Sequence, residues 1–70
     1  MNNTVELKIQ GMSCGHCVRS VAEALEGTPG VQKADVRLDD NAATVTHDGS
    51  VDSATLIRAV EEEGYQASVA

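Results

Sequence analysis

Val5-Glu6-Leu7-Lys8-Ile9-Gln10-Gly11-Met12-Ser13-Cys14-Gly15-His16-Cys17-Val18 changes its periodicity partway along. Val5, Leu7 and Ile9 alternate with Glu6, Lys8 and Gln10, a period of two that predicts a half-buried strand over residues 4–10. Beyond Gly11 the period lengthens. Val18, Val21, Ala22 and Leu25 recur at i, i+3, i+4 and i+7, which predicts a helix over 15–26. Gly27 is its expected stop, and Pro29 keeps it from resuming. Both cysteines of the chain, Cys14 and Cys17, therefore fall where a strand turns into a helix. Cys17 lies in the first helical turn, where unpaired N–H groups and the helix dipole favour negative charge. A thiolate is such a charge, and it is the form of cysteine that binds metal or attacks a disulfide.

The rest of the chain supplies partners for these two elements. Residues 31–38 read as a second strand, with Ala34, Val36 and Leu38 on one face and Lys33, Asp35 and Arg37 on the other. Asp39-Asp40-Asn41 is a turn into a short third strand over 43–47, and Asp48-Gly49-Ser50 breaks the chain again. Asp52 is the expected N-cap of a second helix, with Val51 placed to staple onto Leu56. Leu56, Ile57 and Val60 form its apolar stripe, Gly64 its stop, and residues 65–69 a last strand. This order predicts an α+β fold: a ferredoxin-like βαββαβ sandwich, forming one domain over 1–70. Its four-stranded antiparallel sheet carries two helices on one face and leaves the other wet. The order also gathers three connections at one end: the cysteine loop, the 39–41 turn and Gly64-Tyr65. Glu61, Glu62, Glu63, Asp39 and Asp40 come with them, so the site end is expected to be acidic apart from Arg19. His47 is expected at the far end, in a structural role.

Bulk properties narrow the function. Seventy residues build one small core, which rarely contributes more than about 3–5 kcal/mol net, so a bound ion would add to stability. With no Trp, no Phe, one Tyr and a net charge of −6, the chain has no platform for stacking bases and repels phosphate. Nucleic acid is not an expected partner. No apolar run is long enough for direct membrane insertion, and Met1-Asn2-Asn3-Thr4 lacks the basic and apolar parts of a signal peptide. The expectation is a cytoplasmic protein. In a reducing cytosol a close CxxC pair reads as metal-binding or redox chemistry.

Two thiolates in one loop suit a soft ion. Cu(I) accepts two sulfurs in a near-linear arrangement, whereas structural Zn(II) wants four ligands, and no second cysteine pair or histidine set is present to complete them. An open two-sulfur site holds an ion poorly but passes it on readily. Around it, Met12 reads as core packing, since ligation would turn its thioether out into solvent. His16 reads as a solvated loop residue that tunes the thiols, with direct ligation in a metal-bridged dimer as the alternative. Tyr65 either caps the edge of the core or shields the site. The acidic end suggests docking to a basic patch on a partner. Cys-Gly-His-Cys is also the active-site tetrapeptide of protein disulfide isomerase domains, so a thiol–disulfide redox role competes. Against it stand the lack of a Trp before the first cysteine, a chain short of the roughly one hundred residues a thioredoxin-like fold needs, and a single proline placed after the first helix.

Gly11-Met12-Ser13-Cys14-Gly15-His16-Cys17 resembles the GMxCxxC loop of the heavy-metal-associated domain family. Pro29-Gly30-Val31, Ala59-Val60-Glu61 and Gly64-Tyr65 match that family in register, so the resemblance covers nearly the whole chain. Within the family the chain is similar to free-standing bacterial copper chaperones. The resemblance implies a non-enzymatic role with Cys14 and Cys17 as Cu(I) ligands and Met12 as a brace under the loop. Tyr65 matches a position beside the loop that is Tyr in many bacterial members. Zinc- and cadmium-selective members often carry Asp before the first cysteine, where this chain has Ser13. The implied partner is the N-terminal metal-binding domain of a copper-transporting P-type ATPase, with a copper-bridged homodimer as a further possibility. A metal-sensing domain cut from such an ATPase is the remaining alternative. The start at Met1 and the finish at Ala70 without linkers lead us to expect an independent protein.

Overall fold

Along β1 (Asn3–Gln10), Leu7 and Ile9 are fully buried while Glu6, Lys8 and Gln10 are exposed. One face of this strand is core and the other is solvent, as its alternation requires. The structure, a computed structural model, describes residues 3–70, so the reading of the N-terminus at Met1 and Asn2 lies outside the described residues. The other elements are α1 (Gly15–Glu26), β2 (Val31–Arg37), β3 (Ala42–His47), α2 (Ser53–Glu62) and β4 (Gln66–Val69). The sheet has the order β2-β3-β1-β4 and is antiparallel throughout. This is the expected ferredoxin-like arrangement. Register places Leu7 opposite Ala43 and Ile9 opposite Ala67, so the inward residues of adjacent strands stack on one face. Val21 and Leu25 from α1 and Leu56 and Val60 from α2 join Leu7, Ile9 and Val45 in one core cluster. Among the described residues no helix is long and apolar enough to cross a membrane.

The strand ends differ slightly from expectation. β2 stops at Arg37 and β3 begins at Ala42, because Ala42 still pairs with both Lys8 and Arg37. Asn41 closes the intervening turn with a φ of 51°, a left-handed conformation that Asn tolerates better than most residues. Its carbonyl accepts a bond from Ile9 N–H at 2.8 Å, tying the 39–41 turn to the end of β1. Gly27 ends α1 in a right-handed conformation, so the left-handed stop expected there is absent. Thr28 instead caps the end by donating its hydroxyl to the Ala24 carbonyl at 3.0 Å. Gly64, after α2, does take the positive φ of a helix stop, +94°.

Asp52 caps α2 as expected. Its carboxylate accepts bonds from the Thr55 N–H at 2.9 Å and the Thr55 hydroxyl at 2.7 Å. The hydroxyl, and then the N–H, hold this carboxyl below its ordinary value. Val51 and Leu56, the expected staple, are both buried in the core. Asp52→Ala is expected to lower the thermal midpoint by about 5 °C at neutral pH. The carboxyl is depressed in the folded state, so its contribution is full above the unfolded value and fades as pH falls through the folded one. The two midpoints should therefore converge in acid, a comparison that thermal melts at pH 7 and pH 2 would make.

The outer face of the sheet corrects one electrostatic expectation. Arg37 donates to Asp40 at 3.0 Å, Glu6 at 3.1 Å, Asp35 at 3.4 Å and the Thr44 hydroxyl at 2.9 Å. The site end thus has a second cation besides Arg19, and Asp40 is already paired. These are exposed contacts that contribute little stability each. Their consequence is that less of the acidic charge near the cysteine loop is free.

Candidate metal centre

Gly11 turns the chain out of β1 with a φ of +104°. Met12 then drops its side chain into the core, where it is 8% exposed, and so pins the loop from below. It packs as the sequence suggests. Cys14 is the N-cap of α1 in extended conformation, and its side chain makes no capping bond. Its carbonyl accepts from Cys17 N–H at 3.1 Å and Val18 N–H at 3.3 Å, which starts the helix and fixes the distance between the cysteines. The two sulfurs lie 3.8 Å apart as free thiols, Cys14 exposed and Cys17 half-buried.

Sulfurs at that separation subtend about 110° at an ion about 2.3 Å from each. A straight S–metal–S line would need them about 4.6 Å apart. A straight line through the ion would thus require the free thiols to move apart, and Cys14 is the exposed one of the two. Among the described residues no group of three or more His, Cys, Asp or Glu side chains is placed to hold one ion. The arrangement can hold an ion by two sulfurs and leave further coordination open to an incoming donor. His16 is exposed on the first turn of α1 and is not drawn into a ligand set. His47 sits at the far end of β3, opposite Val31, where its Nδ1 accepts the Gly49 N–H at 3.2 Å.

The thiol of Cys17 is lowered to about 6. The backbone N–H of Ser13 is the largest cause, followed by the Tyr65 hydroxyl, with smaller help from the Cys14 thiol and the Ser13 hydroxyl; partial burial works the other way. The N–H that acts belongs to Ser13, the residue just before the N-cap of α1, and the phenol comes from the turn between α2 and β4. Tyr65 itself is pushed up, chiefly because its hydroxyl bonds Cys17 and then because of burial; the negative charge of Glu63 adds to this. A Cβ added to Gly11 would lie 3.2 Å from the Tyr65 ring, so the turn after α2 lies beside the start of the cysteine loop, as the order of elements predicted. Sequence reasoning placed Tyr65 near the site but missed Ser13 as a donor, since a backbone N–H leaves no mark in a sequence.

Because the Cys17 thiol is depressed, the folded state gains stability above the ordinary thiol value and loses it as pH falls through about 6. The reduced, metal-free protein should therefore melt at rising temperature from pH 6 to pH 9, and Cys17→Ser should flatten that slope. Iodoacetamide labelling of Cys17 should be half-maximal near pH 6, and Tyr65→Phe should move the midpoint upward. An unchanged midpoint would remove Tyr65 from the account.

The sequence pattern of the heavy-metal-associated domain matches residues 6–66. The chain is 40% identical over 60 residues to Copper chaperone CopZ of Staphylococcus aureus (strain JH9), covering 84% of this chain and 88% of the chaperone. It is 45% identical over 64 residues to a mercuric reductase of Acidithiobacillus ferrooxidans, covering 91% of this chain but spanning only 12% of the reductase. Among solved structures, a copper binding domain from HMA7, a P-type ATPase, superposes with a TM-score of 0.95 at 32% identity, over 100% of this chain and 95% of that one.

Proposed function

We propose that this chain, which belongs to the heavy-metal-associated domain family, is a cytoplasmic Cu(I) carrier. It would hold the ion between Cys14 and Cys17 and pass it to the N-terminal metal-binding domain of a copper-transporting P-type ATPase. The observation that carries this reading is the isolated sulfur pair, 3.8 Å apart and open on the Cys14 side. Soft sulfurs without other donors favour Cu(I), and Zn(II) would lack two of its four usual ligands. Similarity to a copper chaperone and to a P-type ATPase copper domain supports the same ion and the same kind of partner.

Transfer then follows from ligand exchange. A thiolate of the partner forms a sulfur–copper bond as the Cys14–copper bond breaks, and a second partner thiolate displaces Cys17. Copper stays Cu(I) throughout, and the protons released by the partner's thiols return to Cys14 and Cys17. In this reading Met12 braces the loop, Ser13 and Tyr65 keep Cys17 ready as a thiolate, and His16 tunes the pair from solvent. The redox reading of Cys-Gly-His-Cys loses support here, because the pair sits on a ferredoxin-like sheet and not on the thioredoxin-like fold in which that tetrapeptide acts. Hg(II), another soft two-sulfur ion, is a second reading favoured by similarity to the mercuric reductase.

The deciding experiment is an anaerobic titration of the reduced protein with Cu(I), Zn(II) and Hg(II), each against a competing chelator with the mass read in parallel. Tight Cu(I) binding near one ion per chain, with Zn(II) far weaker, supports the carrier. Weak Cu(I) binding with a readily formed disulfide would replace it with the redox role, and a preference for Hg(II) with the second reading. In the same assay His16→Ala should leave Cu(I) affinity within about tenfold of the original. A hundredfold loss would make His16 a ligand.

A further inference from the structure

Two strands bound the sheet, β2 on one side and β4 on the other, and their edges are built differently. β2 carries Lys33, Asp35 and Arg37, and its register against β3 slips between Val31 and Lys33. Charge and irregularity of this kind keep an edge from adding further strands. β4 has neither. Gln66-Ala67-Ser68-Val69 is uncharged, holds no proline and pairs with β1 without a register shift.

The free backbone groups of β4 follow from the bonding of β1. Ile9 N–H goes to the Asn41 carbonyl at 2.8 Å on the β3 side, and Ala70 N–H reaches the Glu6 carbonyl at 2.9 Å on the β4 side. Antiparallel bonding alternates along a strand. Gln66, Ser68 and Ala70 therefore face β1, while Ala67 and Val69 point their N–H and C=O groups away from the sheet. Among the described residues no backbone bond from a loop, turn or cap reaches them. Val69 lies opposite Leu7, yet at 53% exposed it is the one large apolar side chain left open among the described residues.

We propose that this edge is an interaction surface for a second copy of the chain, two β4 strands pairing antiparallel about a two-fold axis at Ser68. The spacing is self-complementary. With Ser68 opposite its own copy, Ala67 falls opposite Val69 of the second copy, so each free N–H on one edge meets a free C=O on the other. Each Val69 gains an apolar neighbour across the seam. An uncharged strand sets no like charges face to face, and it offers a charged partner strand no counter-charge. A four-residue seam buries less than the roughly 1,200 Å² from which stable interfaces start, so the pairing is weak and needs concentrated protein. It uses neither cysteine and does not depend on the carrier reading.

Sedimentation equilibrium of the reduced protein tests this, with a chelator present and protein from about 10 μM to about 2 mM. Monomer is expected at the low end and a monomer–dimer equilibrium at the high end. Raising salt from about 0.05 to about 0.5 M should strengthen association, because it screens the repulsion between two chains of net charge −6. Val69→Lys charges the edge, and Ala67→Pro removes an outward N–H without touching the β1 ladder. Each should leave only monomer where the unaltered protein pairs. Amide exchange at Ala67 and Val69 should slow about twofold where half the chains are paired, with β2 unchanged. That comparison uses the unaltered protein, so it decides even if Ala67→Pro fails to fold. Monomer at every concentration would overturn the proposal, as would a dimer that survives Val69→Lys or weakens with salt. So would pairing that appears only when the chelator is left out, or exchange at Ala67 and Val69 that ignores concentration.

Discussion

Cys14→Ser and Cys17→Ser should each weaken Cu(I) binding by the monomer at least about a thousandfold. The site is two sulfurs and, among the described residues, nothing placed to stand in for either. A serine hydroxyl is hard and stays protonated at neutral pH, so it supplies neither the softness nor the charge of a thiolate. The fold should survive both changes, because Cys14 is exposed and Cys17 packs only at the margin of the core. Anaerobic competition against a chelator gives the affinity, and circular dichroism of the metal-free variants checks the fold. Affinity within tenfold of the original in either variant would mean that a donor outside the pair holds the ion. The two variants should differ in detail. Cys14→Ser keeps the thiol that Ser13 and Tyr65 stabilise, so it should retain the stronger residual one-sulfur binding.

Leu25→Ala is expected to leave the metal-free protein largely unfolded at 25 °C. Leu25 is fully buried on α1 and belongs to the one core cluster that the sheet and both helices share. Truncating such a leucine costs about 2–5 kcal/mol, comparable to the roughly 3–5 kcal/mol a core of this size contributes in total. The same variant should refold with copper. An ion present at a thousand times its dissociation constant adds about 4 kcal/mol to whatever binds only the folded state. Urea melts followed by circular dichroism, with and without Cu(I), measure both. Val69, which is 53% exposed, is the control, and Val69→Ala should shift the midpoint little. A metal-free Leu25→Ala protein with the original midpoint would show that this core is not what limits stability.

Residues whose signals are local were readable in advance. The alternation of β1, the i, i+3, i+7 spacing of Val18, Val21 and Leu25 and the cap at Asp52 each depend on a few neighbouring residues, and each forms as read. Where the signals ran together, the boundaries moved. Ala42 looks like turn because it follows Asn41, yet pairing with Lys8 and Arg37 makes it strand. Gly27 looks like a left-handed helix stop, yet the Thr28 hydroxyl does that work and the positive φ falls at Gly30. Arg37 was read as one member of a wet face. Its bond to Glu6, 31 residues away, exists only because β3 holds β1 and β2 in register.

The same division runs through the site. From sequence alone came the order of elements, the ferredoxin-like arrangement, the burial of Met12, and a cysteine pair in a strand-to-helix turn with Tyr65 brought beside it. Those follow from periodicity and chain order, which act over a few residues at a time. Only the tertiary structure decided that the sulfurs rest 3.8 Å apart and that Ser13 and Tyr65 lower Cys17. It alone put the Tyr65 ring on Gly11. These are contacts of 3–4 Å, set to a few tenths of an ångström, between groups up to fifty-four residues apart, Gly11 and Tyr65 being the widest pair. They are fixed by β1–β4 pairing and by packing beneath the loop, and a linear pattern of residues does not encode them at that precision.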